Sequence, residues 1–264
     1  MRIHKPLINR EFIHSKKFVE KWIGCKLHTV NISLQLYSPR EVFEALTKDL
    51  KVLRWLEFIS NHYLPESKDV LLLYPCSAVK PYTSSRSYKM LYNTLSSLGG
   101  LREKVHVVTI SEPFGLVPEE FYGRKTEWHD WENDWYECPG LFEWWCRRHN
   151  QHYDQNDFKK CIDILSDYIA KFLEKTKNLY RVRIAFLRTY TSSLKRSRNH
   201  THFLIIRVAS RKASVKVEFY PSKKIVKKIV EEYGKCAWDF YGVAHPYAQQ
   251  YLKSLLMSKL GVSS

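Results

Sequence analysis

Apolar and polar positions follow two rhythms along the chain, one of helical period and one of short unbroken apolar runs, and together they predict an α/β fold. Ser38 and Pro39 open a helix, as N-cap and first residue. Val42, Ala45, Leu46, Leu50, Leu53, Leu56 and Phe58 then recur at helical spacing to about Asn61. After a turn at Pro65-Glu66-Ser67, the run Asp69–Tyr74 has the continuous apolar character of a strand buried on both faces of a parallel sheet. A polar segment from Pro75 to Ser87 leads into a helix from about Tyr88 to Leu98, which Gly99-Gly100 ends. Val105–Ile110 is a second buried strand, followed by a polar loop from Ser111. Strand, loop, helix, strand is a βαβ unit. Ligands of such sheets bind at the carboxyl ends of the strands, so the loops after Tyr74 and Ile110 are predicted to share one rim.

Further along, a long helix is predicted from about Asp157 to Lys175, and Val182–Leu187 is a third buried strand. His202–Val208 and Ser214–Tyr220 read as two more strands, a hairpin turning at Arg211-Lys212, before closing helices over about Ser222–Tyr233 and Pro246–Lys259. Between the second and third strands, Glu127 to Trp145 holds five tryptophans around a turn at Cys138-Pro139-Gly140. The expected fold class is α/β, with a mostly parallel central sheet, helices on both faces and a basic C-terminal β-hairpin. Asp69–Tyr74, Val105–Ile110 and Val182–Leu187 are expected to be neighbours in that sheet. Three segments are expected: a basic and aromatic stretch over 1–37 with no clear period, an α/β core over 38–190, and a basic extension over 191–264 packed on the same domain.

Charge sharpens this picture. Lys and Arg number 43 against 27 Asp and Glu, a formal net charge of +16. That balance favours a polyanionic partner, and aromatic content of 14% adds faces on which unpaired bases can stack. No pair among the six cysteines, Cys25, Cys76, Cys138, Cys146, Cys161 and Cys236, has CxxC spacing, so zinc ribbons and iron–sulfur loops are not indicated. No apolar run approaches the ~18–20 residues of a membrane span, and the opening MRIHKPLINREF has no signal-peptide core. The expected compartment is the reducing cytoplasm, with free thiols and no membrane partner.

The polar loop after the first strand reads PCSAVKPYTSSRSY from Pro75 to Tyr88. Pro75, Cys76, Lys80, Pro81, Tyr82 and Ser85 match, in order and spacing, a motif of the core domain of archaeosine synthase, the archaeal paralogue of tRNA-guanine transglycosylase. The family's final histidine is Tyr88 here. Ser111–Pro118 (SEPFGLVP) resembles a second family stretch, and Tyr136-Glu137-Cys138-Pro139 is similar to its Tyr-Asp-x-Pro segment. The resemblance covers roughly Pro39 to Thr189. It implies a stand-alone or divergent core domain that acts on 7-cyano-7-deazaguanine in tRNA, adding an amine, lysine, to the nitrile during archaeosine biosynthesis. Implied partners are tRNA and a transglycosylase, a PUA-domain protein or a radical-SAM enzyme. No cofactor is implied, and no metal is needed for nitrile addition itself.

Read from their own chemistry, the motif residues suit such work. A thiolate adds to a nitrile to give a thioimidate that an amine can displace, which makes Cys76 the candidate nucleophile. Lys80 is a candidate proton donor or phosphate ligand and Glu137 a candidate general base or amine-binding group. Pro75, Ser77, Tyr82, Ser85, Ser87, Tyr88, Gly115, Pro118 and Tyr136 are expected around the substrate. A second role is open for several of them: Ser85 or Ser87 as a helix cap, Gly115 and Pro118 as loop-shaping residues, Cys76 as a small core residue. The basic run Arg181, Arg183, Arg188, Lys195, Arg196 and Arg198 is the candidate RNA contact. Two alternatives stand beside the transferase: a non-catalytic RNA-binding subunit of a modification complex, and a nucleobase-processing enzyme of glycosylase type. The latter rests on the same strand-end loop and on His245-Pro246-Tyr247.

Overall fold

Among the described residues, seven strands organise the fold: β1 (Val30–Gln35), β2 (Lys68–Pro75), β3 (Val105–Ser111), β4 (Gly115–Pro118), β5 (Trp135–Glu137), β6 (Tyr180–Phe186) and β7 (Glu218–Tyr220). The structure, a computed structural model, describes residues 30–138, 141, 143–148, 150, 152–197 and 200–262. Most of the basic segment over 1–37, with Cys25, the Pro139-Gly140 turn and Arg198 lie outside the described residues, as do the side chains of Trp144 and Trp145.

Five strands form one sheet in the order β4-β3-β2-β6-β7. β2 lies at its centre, parallel to β3 on one side (Val70 opposite Val105) and to β6 on the other (Val70 opposite Val182). This is the arrangement expected of its apolar run: Val70 to Tyr74 are wholly buried, because a central strand covered on both faces has no wet side for polar residues. β7 is parallel to β6, and β4 runs antiparallel to β3 as the other edge. β1 and β5 form a separate parallel pair. β1 falls in the stretch that shows no period in sequence.

The helices are α1 (Pro39–Lys48), α2 (Leu50–Glu57), α3 (Arg86–Ser96), α4 (Glu143–Arg148), α5 (Gln155–Lys175), α6 (Thr201–Lys212), α7 (Lys223–Tyr233), α8 (Lys235–Tyr241) and α9 (Pro246–Lys259). α1, α2, α5 and α6 pack with one another, as do α3, α7, α8 and α9. Trp55 of α2 donates its indole N–H to Leu116 O at 2.9 Å, tying that layer to β4. Gln249 of α9 donates to the Tyr74 hydroxyl at 3.2 Å, tying the other layer to β2. Among the described residues, no helix is long and apolar enough to cross a membrane.

Two expectations are corrected. The single helix from Pro39 to Asn61 is two helices broken at Asp49. Asp49 is extended (φ −79°, ψ 115°), and its carboxylate accepts from Lys51 N and Val52 N at 2.9 and 3.2 Å. A short carboxylate that can cap a new helix competes with continuing the old one. The C-terminal hairpin is not formed: His202–Val208 lies inside α6, and Arg211-Lys212 is its last turn, where cations meet the negative end of the helix dipole. The run FLIIRV is β-branched enough to suggest a strand. Phe203, Ile206 and Ala209, spaced at three, turn a common face to the core instead. Only Glu218–Tyr220 of the second expected strand pairs, and it pairs with β6.

Gly115 opens β4 at φ +67°, where a Cβ would come within 3.1 Å of Leu56 Cδ2. Gly115→Ala therefore combines a left-handed backbone with a clash against the core. We expect a loss of about 1–3 kcal/mol, measured as a lower urea midpoint at unchanged slope. An unchanged midpoint would show that Leu56 and the backbone yield freely.

Candidate active site

The parallel ladder between β2 and β3 continues one residue past the end of β2: Cys76 N donates to Ile110 O at 2.9 Å. Cys76 is thereby fixed at the carboxyl end of the sheet, partly exposed. Glu112, the first residue after β3, stands on the same rim and is 1% exposed. His202, in the first turn of α6, completes a cluster. Its Nε2 lies 3.6 Å from Cys76 Sγ and 3.2 Å from Glu112 Oε2. Burial alone would lower the imidazole's pKa, but the charges of Glu112 and Cys76 outweigh it and carry His202 up to about 10. The other carboxylate oxygen, Glu112 Oε1, and the other ring nitrogen, His202 Nδ1, are buried without a hydrogen-bond partner.

Lys80 sits in an aromatic cage. It is 6% exposed, its ammonium donates to Ser77 O at 2.6 Å, and it lies 4.4 Å from the ring centre of Tyr136 and 5.8 Å from that of Tyr82. Ring faces attract an ammonium electrostatically. The Tyr82 and Tyr136 hydroxyls meet at 2.5 Å, and Ser111 bonds Tyr136 in turn. Burial drives both phenols well above their ordinary pKa, and negative charge on Cys76 acts in the same direction. Glu137 is raised by burial, against the opposing pull of the Tyr37 hydroxyl, which donates to it at 2.7 Å, and of the Lys80 charge.

The structure thus brings Cys76, Lys80, Ser77, Tyr82, Tyr136 and Glu137 into one connected assembly with Ser111. Other motif residues support it from below. Ser85 caps α3 through Tyr88 N at 3.1 Å, and Ser87 bonds the Tyr74 hydroxyl. Tyr88 is wholly buried; its hydroxyl donates to Pro75 O at 3.2 Å and bonds Thr109. Tyr88 therefore braces the loop's first residue from inside. Gly115 and Pro118 belong to edge strand β4. Of the tryptophans, Trp131 and Trp135 are wholly buried core, and Trp128 stacks on Phe58 and His62.

The basic residues divide. Arg183 is 8% exposed and bonds the carbonyls of Thr176 and Lys177. Arg188 donates to the carbonyls of Trp238 and Asp239 at 3.0 and 2.7 Å, fastening α8. Arg181 pairs with Asp69 at 3.5 Å beside a cleft of about 560 Å³ at the amino ends of β2 and β6, the far end of the sheet from Cys76. Lys195 and Arg196 are exposed on the turn that joins β6 to α6. Glu112 and His202 are the residues that sequence reasoning missed. Glu112 lies inside the Ser111–Pro118 stretch, and His200-Thr-His202 is a visible imidazole pair at the head of a segment whose branched side chains suggest a strand.

Comparison with known proteins gives one family match and several relatives. Residues 52–125 match the family described as a domain of unknown function, DUF5591. That span contains Cys76, Lys80 and Glu112 but ends before His202. Three relatives are archaeosine synthase alpha subunits. The one from Methanosarcina acetivorans is 43% identical over 122 residues, 42% of this chain and 19% of its own length. The one from Thermoplasma acidophilum is 28% identical over 153 residues, 50% of this chain and 28% of its own. The Thermococcus kodakarensis subunit is 34% identical over 96 residues, 33% and 17% respectively. The chain thus spans well under a third of each relative. The crystal structure of AF0587, a protein of unknown function, aligns at a TM-score of 0.36 with 17% identity over 69% of this chain and 48% of that one, too loose a likeness to argue from.

A hydroxyl that donates to a carboxylate favours its charged form. Tyr37→Phe should therefore raise the Glu137 pKa further, read as a higher midpoint in a carboxyl NMR titration. A midpoint that falls or stays would show that the hydroxyl is not what restrains it.

Proposed function

We propose that this chain takes part in tRNA modification during archaeosine biosynthesis and carries the site where an amine, lysine, adds to the nitrile of 7-cyano-7-deazaguanine in tRNA. The observation that carries this reading is the cluster of Cys76, His202 and Glu112 beside a caged lysine; it is supported by relatives named as archaeosine synthase alpha subunits, one of them 43% identical over 122 residues. The cationic composition supports a polyanionic substrate.

The reaction makes heavy but simple demands. A carbon–nitrogen bond forms, one π bond of the nitrile opens, and one proton passes from the amine to the nitrile nitrogen. Nothing leaves and nothing is oxidised. The site must increase the electrophilicity of the nitrile carbon, supply a proton to its nitrogen and hold an uncharged amine. Cys76 is the partly exposed member of the cluster and the point of entry for the nitrile. Glu137, with its raised pKa, is suited to take a proton from the incoming amine. Lys80, buried and charged, provides a fixed positive field toward the growing negative charge. Lys195 and Arg196 stand on the turn leading to His202, and there they can hold the tRNA backbone near the rim. Arg183 and Arg188 serve the fold.

Cys76→Ala should abolish lysine transfer to cyano-deazaguanine tRNA, followed by mass spectrometry of nucleosides, while tRNA affinity stays within about twofold, because the group acts on the barrier. Parent protein that binds tRNA but yields no adduct, with each implied partner added, would replace this reading by that of an RNA-binding subunit. Binding should also weaken steeply with salt, as phosphate contacts release counterions, and Lys195→Glu with Arg196→Glu should weaken it further. Salt-insensitive binding would defeat the RNA assignment.

A further inference from the structure

We propose that Cys76, Glu112 and His202 form a mononuclear site for a divalent transition-metal ion, zinc by its donor set, with a fourth position open toward the rim. One thiolate, one carboxylate and one imidazole place their ligand atoms within 4.8 Å of one another, and they come from three separate elements of the fold.

The geometry distinguishes a metal site from an acid–base relay. In a relay the imidazole uses its two nitrogens for two partners, one facing the nucleophile and the other the acid. Here a single nitrogen, Nε2, faces both the sulfur and the carboxylate, while Nδ1 has no partner. The three ligand atoms therefore face one shared space, all within 4.8 Å of one another. A charge-assisted N–H···O bond between imidazolium and carboxylate closes to about 2.7–2.9 Å, whereas His202 and Glu112 stand 3.2 Å apart. Tetrahedral zinc, with bonds of about 2.3 Å to sulfur and about 2.0–2.1 Å to nitrogen or oxygen, separates sulfur from nitrogen by about 3.6 Å and nitrogen from oxygen by about 3.3 Å. The distances in the structure are 3.6 and 3.2 Å.

A second observation is independent of these distances. Glu112 is 1% exposed, and its Oε1 has neither a protein donor nor solvent. A buried carboxylate oxygen without a partner is costly, and a cation at the cluster supplies one. Glu112 and His202 are closed off from solvent while Cys76 is partly exposed. The open coordination position therefore faces the rim, as in zinc sites with three protein ligands and one exchangeable position. Nδ1 of His202 lacks the outer acceptor that usually tightens a metal-bound imidazole, so the site should be weaker than a closed structural one.

The role of the ion rests on the function proposed above: as a Lewis acid it draws electron density from the nitrile nitrogen. Cys76 then acts as an anionic ligand, and the amine adds directly to the nitrile carbon, its proton passing to the nitrogen.

Titration of the full chain with Co²⁺ tests the site without tRNA. One equivalent should bind at micromolar metal, with the visible bands of a tetrahedral ion and a sulfur-to-cobalt charge-transfer band in the near-ultraviolet. Cys76→Ser should remove the charge-transfer band. Glu112→Gln and His202→Ala should each weaken binding at least about tenfold, with circular dichroism confirming that they fold. A cobalt spectrum that is octahedral, or that Cys76→Ser leaves unchanged, overturns the site. Lysine transfer that persists after chelation has stripped the ion overturns its catalytic role. Stoichiometric tetrahedral cobalt in a protein with no transfer activity upholds the site and sinks the proposed reaction instead.

Discussion

A single backbone hydrogen bond, from Cys76 N to Ile110 O at 2.9 Å, holds the chemistry in place. It carries the β2–β3 ladder one step beyond the strand, so the residue after β2 and the residue after β3 leave the sheet side by side. Parallel pairing makes this possible, because both chains then run out at the same edge. The strength of the ladder comes from elsewhere, from Val70 to Tyr74 being buried on both faces. Were the register of β2 against β3 to slip by one residue, side chains would exchange faces, and Cys76 and Glu112 would lose their common rim.

Around that edge the phenols set the electrostatics. Tyr82, Tyr136, Tyr88 and Tyr122 are buried together, and burial holds every one of their hydroxyls protonated. They form two short hydroxyl runs, Ser111–Tyr136–Tyr82 and Tyr88–Thr109–Tyr122. Such groups donate hydrogen bonds without adding charge. The Lys80 ammonium, which lies against the Tyr82 and Tyr136 rings, is thus set among fixed dipoles, not mobile water.

The frame of the fold was legible because its signals are local. Asp69–Tyr74, Val105–Ile110 and Val182–Leu187 are apolar runs too short for helices, and all three are adjacent parallel strands. Cys76, Lys80 and Tyr82 stood out as a dense motif at a strand end. What was not legible depends on distance along the chain. His202 reaches Cys76 only because α6 is a helix that begins at the rim, and FLIIRV carries the branched side chains of a strand. Cysteine spacing gave no hint of metal, since that test looks for ligands a few residues apart, while Cys76, Glu112 and His202 are brought together by the sheet. The roles of Arg183 and Arg188 were hidden for a related reason: a cation that bonds buried carbonyls has the same letter as one that awaits a phosphate.

The two edges of the large sheet have a consequence for how the protein behaves in a crowded solution. β4 spans four residues and ends in Pro118; β7 spans three and is followed at once by Pro221. Proline has no N–H to offer a passing strand, and edges this short present few free backbone groups in a row. A sheet whose centre is among the most apolar parts of the chain is thus blunted at both margins, so that it does not template the addition of a strand from another molecule. The fold can keep a strongly hydrophobic middle because its borders are poor places to start an aggregate.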